Sequence, residues 1–279
     1  MSYKTIFVHF DTSEATHSRL QLTISLARQF DAYLTGFFTT SGPEPGVFYP
    51  MAGSAEYYLE SDQERTEQQG ALERLFHAEL LRLKVAGQWQ WSAEYANRCV
   101  PNAARLADLV VAGQDDPEDP RAFVAVQFVE NLVLSSGRPV LIVPYAGQFQ
   151  STGSRVLLAW DGSREATRAL HDALPFLQHA KQVTVFTVDA LKSEPSYDRI
   201  PGSDIAAIIS RYGANVTLEK VEGVEDKRVG EAILSKAADI GADLLVMGCY
   251  GHSRWRELVL GGTTRFILKS MTVPVLMSH

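Results

Sequence analysis

The chain has 279 residues, 46% of them hydrophobic and 21% charged, with two cysteines and a formal net charge of −7. That length and apolar content suit two domains of about 140 residues, each able to bury its own core. The acidic balance, without a long basic run, argues against nucleic acid as the main partner, and no apolar run reaches the roughly 18 residues that span a bilayer. Cys99 and Cys249 fall in different halves and build no disulfide framework, so a reducing cytoplasm is expected. Met1-Ser2-Tyr3-Lys4 runs directly into a strand pattern, which leaves no room for a signal peptide.

In chain order, Ile6–Phe10 reads as a buried strand ending at Asp11-Thr12-Ser13, with His9 as a core or strand-end residue. Ser41-Gly42-Pro43-Glu44-Pro45-Gly46 opens a turn-rich segment running to about Gly53. A charged amphipathic helix follows from Ala55 to Val85, with Leu72, Leu75, Phe76, Leu80, Leu81 and Leu83 as its apolar residues. Trp89 and Trp91 alternate as in a half-buried strand. Arg98-Cys99-Val100-Pro101-Asn102 leaves little room for a helix before the strand beginning at Ala107. In the second half strands are predicted at 155–160, 183–188, 215–221, 242–248 and 273–277. Helices are predicted at 163–178, 203–213, 228–240 and 263–270, the first capped by Ser163. Strands alternating with helices imply parallel pairing, cover on both faces and ligand sites at the carboxyl ends of the strands.

The two halves repeat one plan. The strand ending at Asp11-Thr12-Ser13 mirrors the one ending at Asp161-Gly162-Ser163, offset by 150 positions. Ala107–Gly113 mirrors Ala242–Gly248, and Pro139–Ile142 mirrors Pro274–Met277, both offset by 135. A shared offset means no net insertion between those landmarks, so the chain reads as a tandem duplication.

One stretch points to chemistry. Gly248-Cys249-Tyr250-Gly251 follows a buried strand and Gly261-Gly262-Thr263-Thr264 precedes a helix. Glycines at a strand's carboxyl end and a helix's amino end let backbone N–H groups approach a phosphate closely. Tight turns and a helix cap are the bland alternative. Neither a P-loop nor a dinucleotide fingerprint is present.

The pattern G-x2-G-x9-G followed by small hydroxyl residues, with the strand and turn Val156–Ser163 and the last strand Pro274–Met277, resembles the universal stress proteins over residues 155–279. The resemblance implies two tandem, doubly wound parallel-sheet domains, Rossmann-like and similar to the adenine nucleotide alpha hydrolases, at 1–147 and 153–279. It implies ATP as ligand, with Mg²⁺ bridging phosphates. Ala159 and Asp161 would line the adenosine pocket and Val188 would offer its backbone to adenine. Gly248 and Gly251 would approach the ribose and α-phosphate, with His252 beside them, and Gly261, Gly262, Thr263 and Thr264 would cradle the outer phosphates. Gly262 stands where most ATP-binding members carry serine, so weakened rather than abolished binding is expected. The last strands of the two halves are expected to pair as an intramolecular pseudo-dimer, and a homodimer built on other surfaces stays open.

The halves differ where phosphate would sit. At the 135 offset, Gly251 falls opposite Asp116, Gly261 opposite Val126, Gly262 opposite Gln127, Thr263 opposite Phe128 and Thr264 opposite Val129. Only Gly113 of the signature survives, with Asp115 and Asp116 in repulsive positions, so one nucleotide per chain is expected. No catalytic nucleophile or base constellation is found, and ATP hydrolysis is expected to be slow at most. Cys249, His252 and His279 lack a fourth ligand for zinc. Two other readings remain: a sensor or scaffold whose N-terminal segment 41–85 grips a protein or an amphiphilic ligand, and an α-hydrolase enzyme, for which an acceptor domain or a catalytic cysteine pair is lacking.

Overall fold

The structure, a computed structural model, describes residues 2–40, 55–119, 124–125, 127–190, 202–250 and 262–279. The first half runs β1 (Thr5–Phe10), α1 (Ala15–Phe30), β2 (Tyr33–Thr39), α2 (Ala55–Leu83), β3 (Gly87–Ser92), α3 (Ala96–Ala104), β4 (Leu109–Gly113), α4 (Phe128–Ser136) and β5 (Val140–Val143). The second runs β6 (Arg155–Trp160), α5 (Arg164–Asp172), α6 (Leu174–Leu177), β7 (Gln182–Ala190), α7 (Gly202–Ser210), β8 (Val216–Val224), α8 (Val229–Asp239), β9 (Leu244–Gly248), α9 (Gly262–Ser270) and β10 (Val275–Ser278). The turn-rich stretch expected at 41–53 lies outside the described residues.

The chain divides into two compact units, Ser2–Val140 with Gln148–Gln150, and Leu141–Gly147 with Ser151–His279. In the first unit the strands lie in the order β3-β2-β1-β4, all parallel. In the second the order is β10-β9-β6-β7-β8, again all parallel. Each chain half steps outward for three strands and then returns to the far side of its first strand. The order therefore reverses between β1 and β4, and between β6 and β9. A crevice opens at such a reversal, beyond the carboxyl ends of the strands.

Strands covered on both faces carry unbroken apolar runs, and Ile6-Phe7-Val8, Leu109-Val110-Val111, Leu157-Leu158 and Leu244-Leu245-Val246 are all buried. Their amino ends are clipped alike in the two halves. The Asp108 carboxylate accepts the backbone N–H groups of Lys4 and Thr5 at 2.8 and 2.9 Å. Its counterpart Asp243 accepts those of Gly153, Ser154 and Arg155 at 2.8–3.1 Å. On α2, Phe76 and Leu80 are buried while Leu81 is exposed. Phe76 and Trp89 close over Phe10, whereas Trp91, which the period of two expects on the same face as Trp89, is exposed.

Two expectations are corrected. A nine-residue helix, α3, does precede β4, with Pro101 inside it. Proline cannot donate to the carbonyl four residues back, but Asn131 of α4 donates its amide to that Asn97 carbonyl at 2.8 Å. The helix predicted over 163–178 is divided into α5 and α6, with Pro175 at the start of α6. Among the described residues, no helix is long and apolar enough to cross a membrane.

Candidate nucleotide site

At the reversal between β6 and β9, the chain leaves β6 through Asp161, whose Oδ1 accepts the Ser163 N–H at 2.9 Å. The Ser163 hydroxyl in turn accepts the Ala166 N–H at 3.1 Å and caps α5, as the sequence predicts. Asp161 is an exposed residue. Ala159 pairs with Phe186 of β7 on one side and Met247 of β9 on the other. Although so flanked, Ala159 keeps partial exposure. Val188, near the end of β7, is half-buried.

Gly248 has a role beyond approach to a ligand. A methyl group there would overlap the backbone of Glu165 and Ala166 in the first turn of α5. The glycine therefore lets the helix backbone rest directly on the end of β9. The chain leaves β9 at its carboxyl end and re-enters the sheet at the amino end of β10, so α9 begins on the crevice side. Its first turn is Gly262, exposed, Thr263, half-buried, and Thr264, buried. The first four N–H groups of a helix lack partners within it, and together with the helix dipole they favour an anion. Gly251, His252 and Gly261 lie outside the described residues.

The thiol of Cys249 is buried. Burial pushes its pKa well above the ordinary range, and its Sγ lies 3.3 Å from the Ser278 carbonyl oxygen. Among the described residues no group of three His, Cys, Asp or Glu side chains could hold a metal ion.

The corresponding place in the first unit is filled by its own side chains. Asp11, opposite Asp161, forms a buried ion pair with Arg19 at 2.7 Å. Ser13 and Thr16 donate their hydroxyls to the other oxygen of the same carboxylate, at 2.5 and 2.6 Å. Burial alone would raise the Asp11 pKa, but the Arg19 charge and these hydroxyls outweigh it and hold the carboxyl below its usual range. The Arg19 guanidinium lies against Gly113, where a methyl group would overlap Nη1. The mirror position of Arg19 is Ala169, which is buried. That contrast was present in the repeat register, and it is the signal by which sequence reasoning could have found Arg19.

On the same central strand, His9 stands opposite Ala159 and is 1% exposed. Its ring packs on Phe128, the residue opposite Thr263, with centroids 4.6 Å apart. An imidazole and a phenyl ring thus occupy what a methyl and a hydroxyl leave open in the second unit. Asp115, which keeps an exposed surface, has its pKa pushed up to about 6 by local desolvation, then by Glu130 and Asp11.

Neither ring nitrogen of His9 has a hydrogen-bond partner. Desolvation lowers its pKa to about 3, with Arg19 adding to the effect and Asp11 opposing it. The unfolded chain binds a proton at His9 below about pH 6.5 and the folded unit does not, so stability falls as pH drops between those values. The slope is about 1.4 kcal/mol per pH unit, partly offset below about pH 6 by Asp115, whose exposure screens its share. Urea unfolding at pH 7.5 and pH 5 is expected to show a loss of roughly 1–2 kcal/mol in the first unit, and His9→Leu is expected to abolish it. An unchanged acid slope in that variant would remove His9 as the cause.

Each unit is thus a parallel α/β domain whose strand order reverses once, and in the second unit a glycine- and threonine-led helix starts on the side of that reversal. The model of the universal stress protein family matches residues 153–279, so the second half of the chain is similar to that family. A universal stress protein of Synechocystis sp. is 31% identical over 153 residues, which cover 53% of this chain and 49% of that protein. The chain thus spans about half the length of this relative. The solved structure of a universal stress protein from Archaeoglobus fulgidus superposes with a TM-score of 0.70 at 17% identity, covering 98% of this chain and 95% of that one. A Pseudomonas aeruginosa structure gives 0.63 at 16% identity, covering 99% and 93%. These two likenesses are of fold, and they extend over both halves.

Proposed function

We propose that the chain is an ATP-binding regulatory module of the universal stress protein family, with one competent site in its second unit. The observation that supports this most directly is the contrast at equivalent positions. Ala159 and Thr263 leave room at the β6–β9 crevice, whereas His9 and Phe128 fill the β1–β4 crevice. Adenine and ribose fit over Ala159 beside the ends of β6 and β7, with Asp161 accepting from the sugar hydroxyls. The first-turn N–H groups of α9 and the hydroxyls of Thr263 and Thr264 suit the outer phosphates. Mg²⁺ fits as an ion carried by the phosphates, because the protein offers one carboxylate oxygen of Asp161 and no ligand cluster among the described residues. Bound there, it would neutralise phosphate charge.

The sensor reading calls for an apolar slot near residues 41–85. A hollow of about 950 Å³ in the first unit is lined by both polar and apolar groups, among them His17, Gln21 and Ile24 of α1 with Arg82, Leu83 and Phe149, and residues 41–54 lie outside the described residues.

Isothermal titration with Mg·ATP is expected to give one site per chain. The double variant Ala159→His, Thr263→Phe carries the first unit's residues into the second. It is expected to weaken binding about a hundredfold, from steric overlap of about 3 kcal/mol, while the fold is retained. No binding by the wild type at millimolar nucleotide, or a stoichiometry of two, would overturn the reading.

A further inference from the structure

The β9–β10 ladder has Ser278 opposite Gly248 as its last registered pair, yet its hydrogen bonding continues one step. The Cys249 N–H donates to the Ser278 carbonyl at 3.0 Å. Beyond that step a side chain joins the two strands: Nδ1 of His279 lies 3.1 Å from the Cys249 carbonyl oxygen. A carbonyl only accepts, so Nδ1 carries the proton, in the neutral and in the protonated ring alike. The same ring packs edge-on against Tyr250, with centroids 6.4 Å apart and planes at 68°. Tyr250 has a φ of 63°, a left-handed backbone that a bulky residue keeps only where its surroundings hold it.

We propose that His279 is a positioning residue for the nucleotide. Its Nδ1–H and its ring hold Cys249 and Tyr250 where the chain leaves β9, next to the contact of Gly248 with the first turn of α5, before a ligand arrives. The proposal rests on the reading that the second unit binds nucleotide. The first unit supports it by contrast. Pro144 stands opposite His279 there, Gln114 opposite Cys249 and Asp115 opposite Tyr250, and a proline side chain has no donor. The tie belongs to the half that carries the glycine signature.

The test compares the full chain with His279→Ala and His279→Asn, whose amide nitrogen can stand where Nδ1 stands. Loss of one such bond is expected to weaken ATP binding about three- to tenfold in His279→Ala. Asparagine is expected to restore most of the affinity, and the melting temperature without ligand is expected to stay nearly constant in all three proteins. Amide hydrogen exchange across residues 248–250, measured without nucleotide, reads the tie itself and should accelerate in the alanine variant alone. Wild-type affinity in His279→Ala, or unchanged exchange at 248–250, overturns the positioning role while leaving nucleotide binding intact. An asparagine variant as weak as alanine, with both melting lower, assigns His279 to stability alone and also overturns it. Accelerated exchange in a protein whose wild type binds no ATP overturns the nucleotide reading and, with it, the role proposed for the tie.

Discussion

Replacing Arg19 with alanine is expected to unfold the first unit under conditions in which the second stays folded. Arg19 is 2% exposed and Asp11 8%, so the substitution leaves a carboxylate buried beside hydroxyl groups that cannot neutralise it. Removing one partner of such a pair costs about 3–5 kcal/mol, a large fraction of the 5–15 kcal/mol that holds a typical domain together. The loss should be the same in kind for Asp11→Ala, which strands the guanidinium. In the double variant Asp11→Leu, Arg19→Met the charges leave together and apolar volume replaces them, so its cost should be smaller than that of either single change. Hydrogen exchange resolved by peptide would show fast exchange across β1 and β4 with β6 and β9 still protected. Equal costs for the double and the Arg19→Ala variant would mean that the pair is not coupled and that Arg19 matters only by its bulk.

The opposite result is expected for Gly248→Ala, which should disrupt the second unit and spare the first. The added methyl group meets backbone atoms of Glu165 and Ala166, and backbone at the start of a capped helix cannot swing aside as a long side chain can. Overpacking of a tight contact costs about 1–3 kcal/mol, and the upper end applies where the obstacle is main chain. Either α5 lifts from the end of β9, opening the crevice at Asp161, or the unit unfolds. ATP binding would be lost in both cases, so loss of binding in this variant says nothing by itself about phosphate contact. Thermal unfolding decides between them: a single early transition for the second unit marks unfolding, and an unchanged midpoint with lost affinity marks the lifted helix. Wild-type stability together with wild-type affinity would contradict the packing described for Gly248.

The parts of this protein legible in the sequence were those set by local rules or by repetition. Buried parallel strands announce themselves as unbroken apolar runs, and two such runs recur at one offset, which reads as a repeated plan. The Ser163 cap was readable for the same reason, since a cap and the N–H it satisfies are three residues apart. Pairings between distant residues were not legible. Pro101 looked like the end of any helix, and only the packing of α4 on α3 brings Asn131 to the carbonyl that the proline leaves open. Nothing local to Arg19 marks its role, which arises only because α1 folds it onto Asp11 and Gly113. Gly248 looked like a ligand-facing glycine, and the contact that forbids a side chain there is with α5, more than eighty positions earlier in the chain. Sequence alone determined the strands, their repetition and the asymmetry of the glycine signature, because each is written in neighbouring residues or in register. That the first unit fills its own crevice was decided by tertiary structure, because it depends on which side chains other elements deliver to the ends of the strands.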